Sequence, residues 1–256
     1  MDTKLKIRNI ETRISFRIIS IFSNTEADNF IHFLKKEYDS YIFGGLIKDF
    51  VFGNDGIHRD IDIVVNEVDE KFKNYIAKYK FFENQFGGFK IFIGNFEFDI
   101  WDFNKTWAVK KYPLLSFTTI PEYLPYTSFF NITAVLFSLK DDKLIYNSEF
   151  TKFLEDKVLS IVLEDNPFPE LCIIKTYEYI KKYDLKLSKK LINYFIKNYS
   201  IKRDKLNYIQ KKHYSEIKFP QDELDDFYYR LISKSRKNMI SSKKKRNYQL
   251  ELPLFY

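Results

Sequence analysis

The chain has 256 residues, a formal net charge of +7, and 45% hydrophobic against 30% charged residues. That length supplies a full core for one or two domains; no stretch approaches the roughly 20 apolar residues of a bilayer span, and the mixed start MDTKLKIRNIETRISFRIISIF lacks the apolar block of a signal peptide. One cysteine, Cys172, and three histidines, His32, His58 and His213, exclude a disulfide framework and a thiol or imidazole metal cluster, so any metal falls to carboxylates and the expected compartment is the cytoplasm.

Taken in chain order, residues 24–38 predict an amphipathic helix with Ala27, Phe30, Ile31, Phe33 and Leu34 on one face and Ser23 or Thr25 as cap. Tyr41-Ile42-Phe43 reads as a strand entering the tight turn Gly44-Gly45, and residues 46–52 as a brief helix closed by Gly53. Residues 60–65 alternate carboxylate and aliphatic side chains, a strand pattern. Residues 67–80 predict a helix; 90–93 and 96–101 flank Gly94-Asn95 as a hairpin. All seven glycines lie between Gly44 and Gly94, and glycine collects where backbone turns tightly or approaches a ligand.

From about residue 126 the pattern turns helical, at 131–139, 150–156, 168–183 and 188–199, with short extended pieces at 144–146 and 158–162. One or two more helices are expected in 201–235, and a flexible basic tail thereafter. The predicted class is α+β: a small mixed sheet over residues 1–125, a mainly helical domain over 126–235, and the tail 236–256. Residues 1–200 hold equal numbers of basic and acidic side chains, 28 and 28, whereas 201–256 hold 14 and 7 and carry the whole net charge. A neutral body with a basic end suits a polyanionic partner.

Gly44-Gly45-Leu46-Ile47-Lys48-Asp49 is followed eleven residues later by Asp60-Ile61-Asp62. Alternate strand positions put both carboxylates on one face, about 7 Å apart, where like charges call for a compensating cation. An oxygen-preferring divalent ion such as Mg²⁺ resolves that repulsion and shares ligands with substrate phosphates. The glycine pair after a strand exposes backbone N–H groups to such phosphates. A phosphate cradle beside a metal-binding carboxylate strand is what nucleotidyl transfer requires. The third carboxylate is expected from the strand at 96–102: Asp99 first, Glu97 second.

GGLIKDFVFG…RDID resembles the head domain of the polymerase-beta-like nucleotidyltransferases, and within them the CCA-adding enzymes and bacterial poly(A) polymerases, whose pattern is GGxVRDxLLG followed by DxD. FFNITAVLFSL at 129–139 is similar to their RDFTINALAYD, residues 153–162 to their DLxxKxLRxV, and 164–167 to the start of their EDPLR, so the likeness covers roughly 24–185, head and neck. It implies a palm-like catalytic head followed by a helical domain. Asp60 and Asp62 would bind metal, Gly44 and Gly45 would contact the triphosphate, and Lys48 and Asp49 would shape that pocket. The chain departs from the pattern in having Ser128 and Phe129 in place of Arg-Asp, and Phe168 or Pro169 in place of the later arginine; those side chains read the incoming base in the family, so its C-versus-A selection is not implied. Lys175 is a candidate replacement cation beside the nucleotide. His58 echoes a second branch, the aminoglycoside nucleotidyltransferases.

The expected activity is transfer of a nucleoside monophosphate from an NTP to a hydroxyl, with Mg²⁺ or Mn²⁺. Asp60, Asp62 and Asp99 hold the metal, and Lys48 or Arg59 offsets phosphate charge. The expected acceptor is an RNA 3′ end, tRNA first, gripped by residues 201–256. Transfer to a small molecule or a protein hydroxyl, and an inactive nucleotide- or RNA-binding module, are the alternatives. Trp101, Phe103 and Trp107 could stack a base, but aromatic residues at a density of 19% mostly fill core.

Overall fold

The computed structural model describes residues 2–53, 60–84, 87–112 and 119–250, with side chains through 235. Arg59 and His58 lie outside the described residues, as do 251–256. The described residues divide into two units, one within 2–157 and 161–164 and one within 158–160 and 165–250.

The first unit opens with α1 (Thr3–Phe22), whose Ile7, Ile10, Ile14, Ile18 and Phe22 recur at three-to-four spacing and are buried. Asp2 caps it, accepting from the Lys4 amide at 3.2 Å. There follow α2 (Glu26–Glu37), β1 (Ser40–Ile42), α3 (Gly45–Val51), β2 (Ile61–Val65), α4 (Glu70–Ile76), β3 (Lys80–Glu83), β4 (Phe89–Ile93) and β5 (Phe96–Asp102). Then come α5 (Trp107–Lys111), α6 (Ile120–Thr127), β6 (Val135–Ser138), β7 (Lys143–Tyr146) and α7 (Ser148–Asp156). Strand alternation sorts the sheet's faces. Ile61, Ile63, Ile91, Phe98 and Ile100 are fully buried on one of them, and Phe98 packs against Phe22 and Phe30 with ring centroids 5.8 and 5.0 Å apart. That face is therefore the core under α1 and α2. Burying five such side chains stabilises the sheet by roughly 2 kcal/mol apiece before entropy is charged.

Among the described residues seven strands form one sheet in the order β3-β4-β5-β2-β1-β6-β7. Every neighbouring pair is antiparallel except β2 and β5, which run parallel. Two expectations are corrected here. Residues 131–139, expected as helix, form one 3₁₀ turn at Asn131–Thr133 and then β6, which pairs with β1; Val135, Leu136 and Phe137 put apolar side chains on both faces, and burial at every β6 position, Ser138 included, shows a central strand rather than a helix face. The 67–80 helix ends at Ile76, and Lys80–Glu83 becomes an edge strand. The sheet thus extends past residue 125, the end expected for it.

The second unit holds β8 (Val158–Leu159), α8 (Pro169–Tyr183), β9 (Lys186–Leu187), α9 (Lys189–Lys202), α10 (Leu206–Tyr214) and α11 (Gln221–Leu250). Its core gathers Ile173, Ile174, Phe195, Leu206, Phe219 and Leu224. Where a flexible tail was expected from 236, α11 continues to Leu250; no glycine or proline interrupts that stretch, and Lys, Arg and Gln are good helix formers. The acidic run at its start has structural partners: Tyr199 and Arg203 both donate to Asp225, at 2.8 and 2.7 Å, and Tyr177 to Glu223 at 2.6 Å. No helix among the described residues is long and apolar enough to cross a membrane.

Candidate active site

Opposite the core face, three charged side chains stand in one transverse row. Lys90 on β4 is in register with Asp99 on β5, and Asp99 with Asp62 on β2. The row is continued by the turn after β1, where the Phe43 amide donates to the Asp62 carbonyl at 3.1 Å. Further along the same face Val64 and the half-buried Trp101 meet the α5–α6 layer, with Val109, Tyr123 and Leu124. One end of this face is therefore a second core, and the carboxylates occupy the other. Trp101, Phe103 and Trp107 all pack into or against that second core, which accounts for them without a stacked base.

Gly44 has φ +74° and is the N-terminal cap of α3. A Cβ there would stand 2.9 Å from Oδ2 of Asp62, so only glycine lets the turn lie against this carboxylate. Gly45 is the first residue of α3. Lys48 and Asp49, expected near phosphates, are both buried in α3 and form an ion pair with each other. The Lys48 charge is thus balanced inside the protein.

Lys90 is the residue that sequence reasoning missed. Its ammonium lies 2.6 Å from Asp60, 3.2 Å from Glu97 and 3.4 Å from Asp99. Burial opposes the ammonium, yet the Asp60 hydrogen bond and the Asp99 charge outweigh it and raise the Lys90 pKa. Burial likewise works to raise Asp60, but the hydrogen bond and charge of Lys90 prevail, so its carboxyl sits below the ordinary range. Asp99, the most enclosed of the three, is pushed up by burial, and the neighbouring Asp60 charge adds to that against the pull of Lys90. A lysine in an alternating strand reads as solvent-facing; only the β4–β5–β2 pairing reveals what it faces.

The donor set suits a hard divalent cation, being carboxylate oxygen throughout. Asp60, Glu97 and Asp99 converge on one cation already, the Lys90 ammonium; no group of three or more acidic, histidine or cysteine side chains among the described residues is arranged as a metal cage. Asp102 is set apart, buried and accepting from the Val68 and Asn104 amides at 3.3 and 3.0 Å.

Lys175 belongs to α8 of the second unit. It pairs with Glu178 at 2.8 Å and lies 4.8 Å from the centre of the Tyr214 ring. Cys172 is buried there, which pushes its thiol up to about 12 and leaves it an inert apolar residue. Ser128 donates to the Thr133 carbonyl at 2.7 Å, and Phe129 is buried edge-on against Phe130.

No family model and no curated protein matches the sequence. The fold does match solved structures. A CCA-adding enzyme solved with CTP aligns at TM-score 0.60 and 16% identity over 86% of this chain and 53% of its own. The Thermotoga maritima CCA-adding enzyme complexed with tRNA aligns at 0.58 and 16%, over 88% and 53%. A tRNA nucleotidyltransferase complexed with a primer tRNA and an incoming ATP analogue aligns at 0.56 and 17%, over 79% and 60%. The chain spans little more than half the length of these structures. Its fold is similar to that of CCA-adding enzymes over about half of their length.

Proposed function

We propose that the chain is a Mg²⁺-dependent nucleotidyltransferase that moves a nucleoside monophosphate from an NTP to an RNA 3′ end, tRNA being the first candidate. The observation that carries this is the transverse row: Asp62 lies against a side-chain-free turn at Gly44 and opposite Asp99 on the neighbouring parallel strand. The acceptor oxygen bonds to the α-phosphorus, the bond from that phosphorus to the β-phosphate oxygen breaks, and pyrophosphate leaves. Asp60, Asp62 and Asp99 would hold Mg²⁺, which would supply charge neutralisation at phosphorus and a lowered pKa for the attacking hydroxyl. Asp99, raised by burial, accepts the hydroxyl proton. Gly44 and Gly45 present backbone N–H groups to the β- and γ-phosphates. Exposed Lys211, Lys212, Arg230 and Lys234 supply cations for the acceptor's backbone. Mn²⁺ fits the same donors.

One observation favours a different acceptor. Ser128 and Phe129, at the positions that carry base-reading side chains in the resembled pattern, are taken up by a backbone hydrogen bond and by core packing. Adding C and then A needs a reader that switches between incoming bases, whereas a single transfer to a small-molecule or protein hydroxyl does not. Incubating the protein with each α-labelled NTP, Mg²⁺ and total cellular RNA, beside Asp60→Ala/Asp62→Ala, separates these readings. A labelled RNA band absent from the control is expected. Pyrophosphate release without labelled RNA points to the other acceptors. Neither product means an inactive binding module.

A further inference from the structure

We infer that Lys90 is a positioning residue that competes with the divalent cation: its ammonium holds Asp60 and Asp99 together in the metal-free protein and withdraws toward Glu97 when the metal binds. The inference rests on the nucleotidyl-transfer reading only for the presence of a metal. Its ground is geometry. The ammonium touches Asp60, Glu97 and Asp99 at 2.6, 3.2 and 3.4 Å, and two of those carboxylates belong to the proposed ligand set. Two cations cannot share the same oxygens without strong mutual repulsion. Three carboxylates against one ammonium leave the cluster net negative, so it still draws a divalent ion. Lys90 lies on β4, in register with Asp99, and its four-carbon stem lets the charge move while the strand stays fixed. Glu97 supplies the place to move to: it is on β5 two residues before Asp99, outside the proposed ligand set, and already within reach.

The lysine therefore does two things. It prevents carboxylate repulsion from spreading the strands before the metal arrives, and it weakens metal binding to a level that nucleotide phosphates can then raise. A purely structural lysine would do only the first.

Manganese binding to the nucleotide-free protein, followed by electron paramagnetic resonance, tests this without reference to activity. Lys90→Met should bind Mn²⁺ more tightly than wild type by on the order of tenfold, the size of one close, half-buried charge–charge interaction. Lys90→Arg should stay near wild type. Equal or weaker binding by Lys90→Met would overturn the inference and leave the metal reading standing. No Mn²⁺ binding by either protein would overturn both. As a second readout, acylation of the wild-type Lys90 amine, mapped by mass spectrometry, should rise when Mn²⁺ is added. Unchanged labelling with Mn²⁺ bound would overturn the inference even if Lys90→Met does not fold.

Discussion

Gly44 and Asp62 touch across a gap that a single methyl group would close. The backbone at Gly44 is left-handed, with φ +74°, and a Cβ would meet the Asp62 carboxylate at 2.9 Å. Gly44→Ala therefore carries two costs, a positive-φ backbone at ψ −135° that side chains rarely adopt and a displaced carboxylate. We expect about 1–3 kcal/mol lost from the first unit by urea unfolding, with nucleotidyl transfer falling further than stability explains. Full activity in Gly44→Ala would separate the turn from the site.

Asp62→Asn keeps the shape of the side chain and removes its charge. The variant should unfold like wild type and transfer nucleotide at least about 10³-fold more slowly. Asp99→Asn should behave the same way, because the two residues are strand neighbours in register. Glu97→Gln should retain most activity. A larger effect at Glu97 than at Asp99 would reassign the third carboxylate.

Lys48 and Asp49 form an ion pair at 2% and 8% residue exposure. Breaking this buried ion pair from either side should cost roughly 3 kcal/mol, in Lys48→Met or in Asp49→Leu, and the double variant should cost less than the sum. Urea denaturation of the four proteins gives the coupling directly. Additive losses would mean that each residue is balanced by something other than its neighbour.

In the second unit, burial works against the charge of Glu178, but Lys175, Lys218 and Tyr214 outweigh it and hold the carboxyl at about 2 against an ordinary 4.5. The sign follows from linkage. The stabilisation is complete above the ordinary value and is lost as pH falls through it toward about 2. Glu178→Gln should thus be less stable than wild type at neutral pH by a few kcal/mol, and the gap should narrow steadily as the solution is acidified. Circular dichroism of the helical signal in urea at several pH values measures it. A gap independent of pH would place the loss in packing rather than charge.

Much of this was legible in the sequence. The alternation of Asp60–Val65, the Gly-Gly turn and the Gly94-Asn95 hairpin are local signals, and all appear where their side-chain periods put them. What escaped is non-local or degenerate. A short, mostly apolar run such as 134–139 satisfies a strand and a helix equally, and only its place beside β1 decides. Lys90 gains its meaning from two strands paired to its own. Arg13 on α1 donates to the carbonyls of Phe50 and Val51 at the end of α3, a cap supplied 37 residues away that no sequence window contains.

The strand order carries a consequence for synthesis. β1 lies in the middle of the sheet, with β2 on one side and β6 on the other. As the nascent chain emerges from the ribosome, the carboxylate row is complete once residue 99 is free, yet β6 follows more than thirty residues later. During that interval β1 offers a bare edge of apolar backbone, open to pairing with a neighbouring chain. The hairpin of β6 and β7 is thus the closing piece of the sheet, and truncation before residue 135 should yield a protein that carries its acidic row but aggregates along β1.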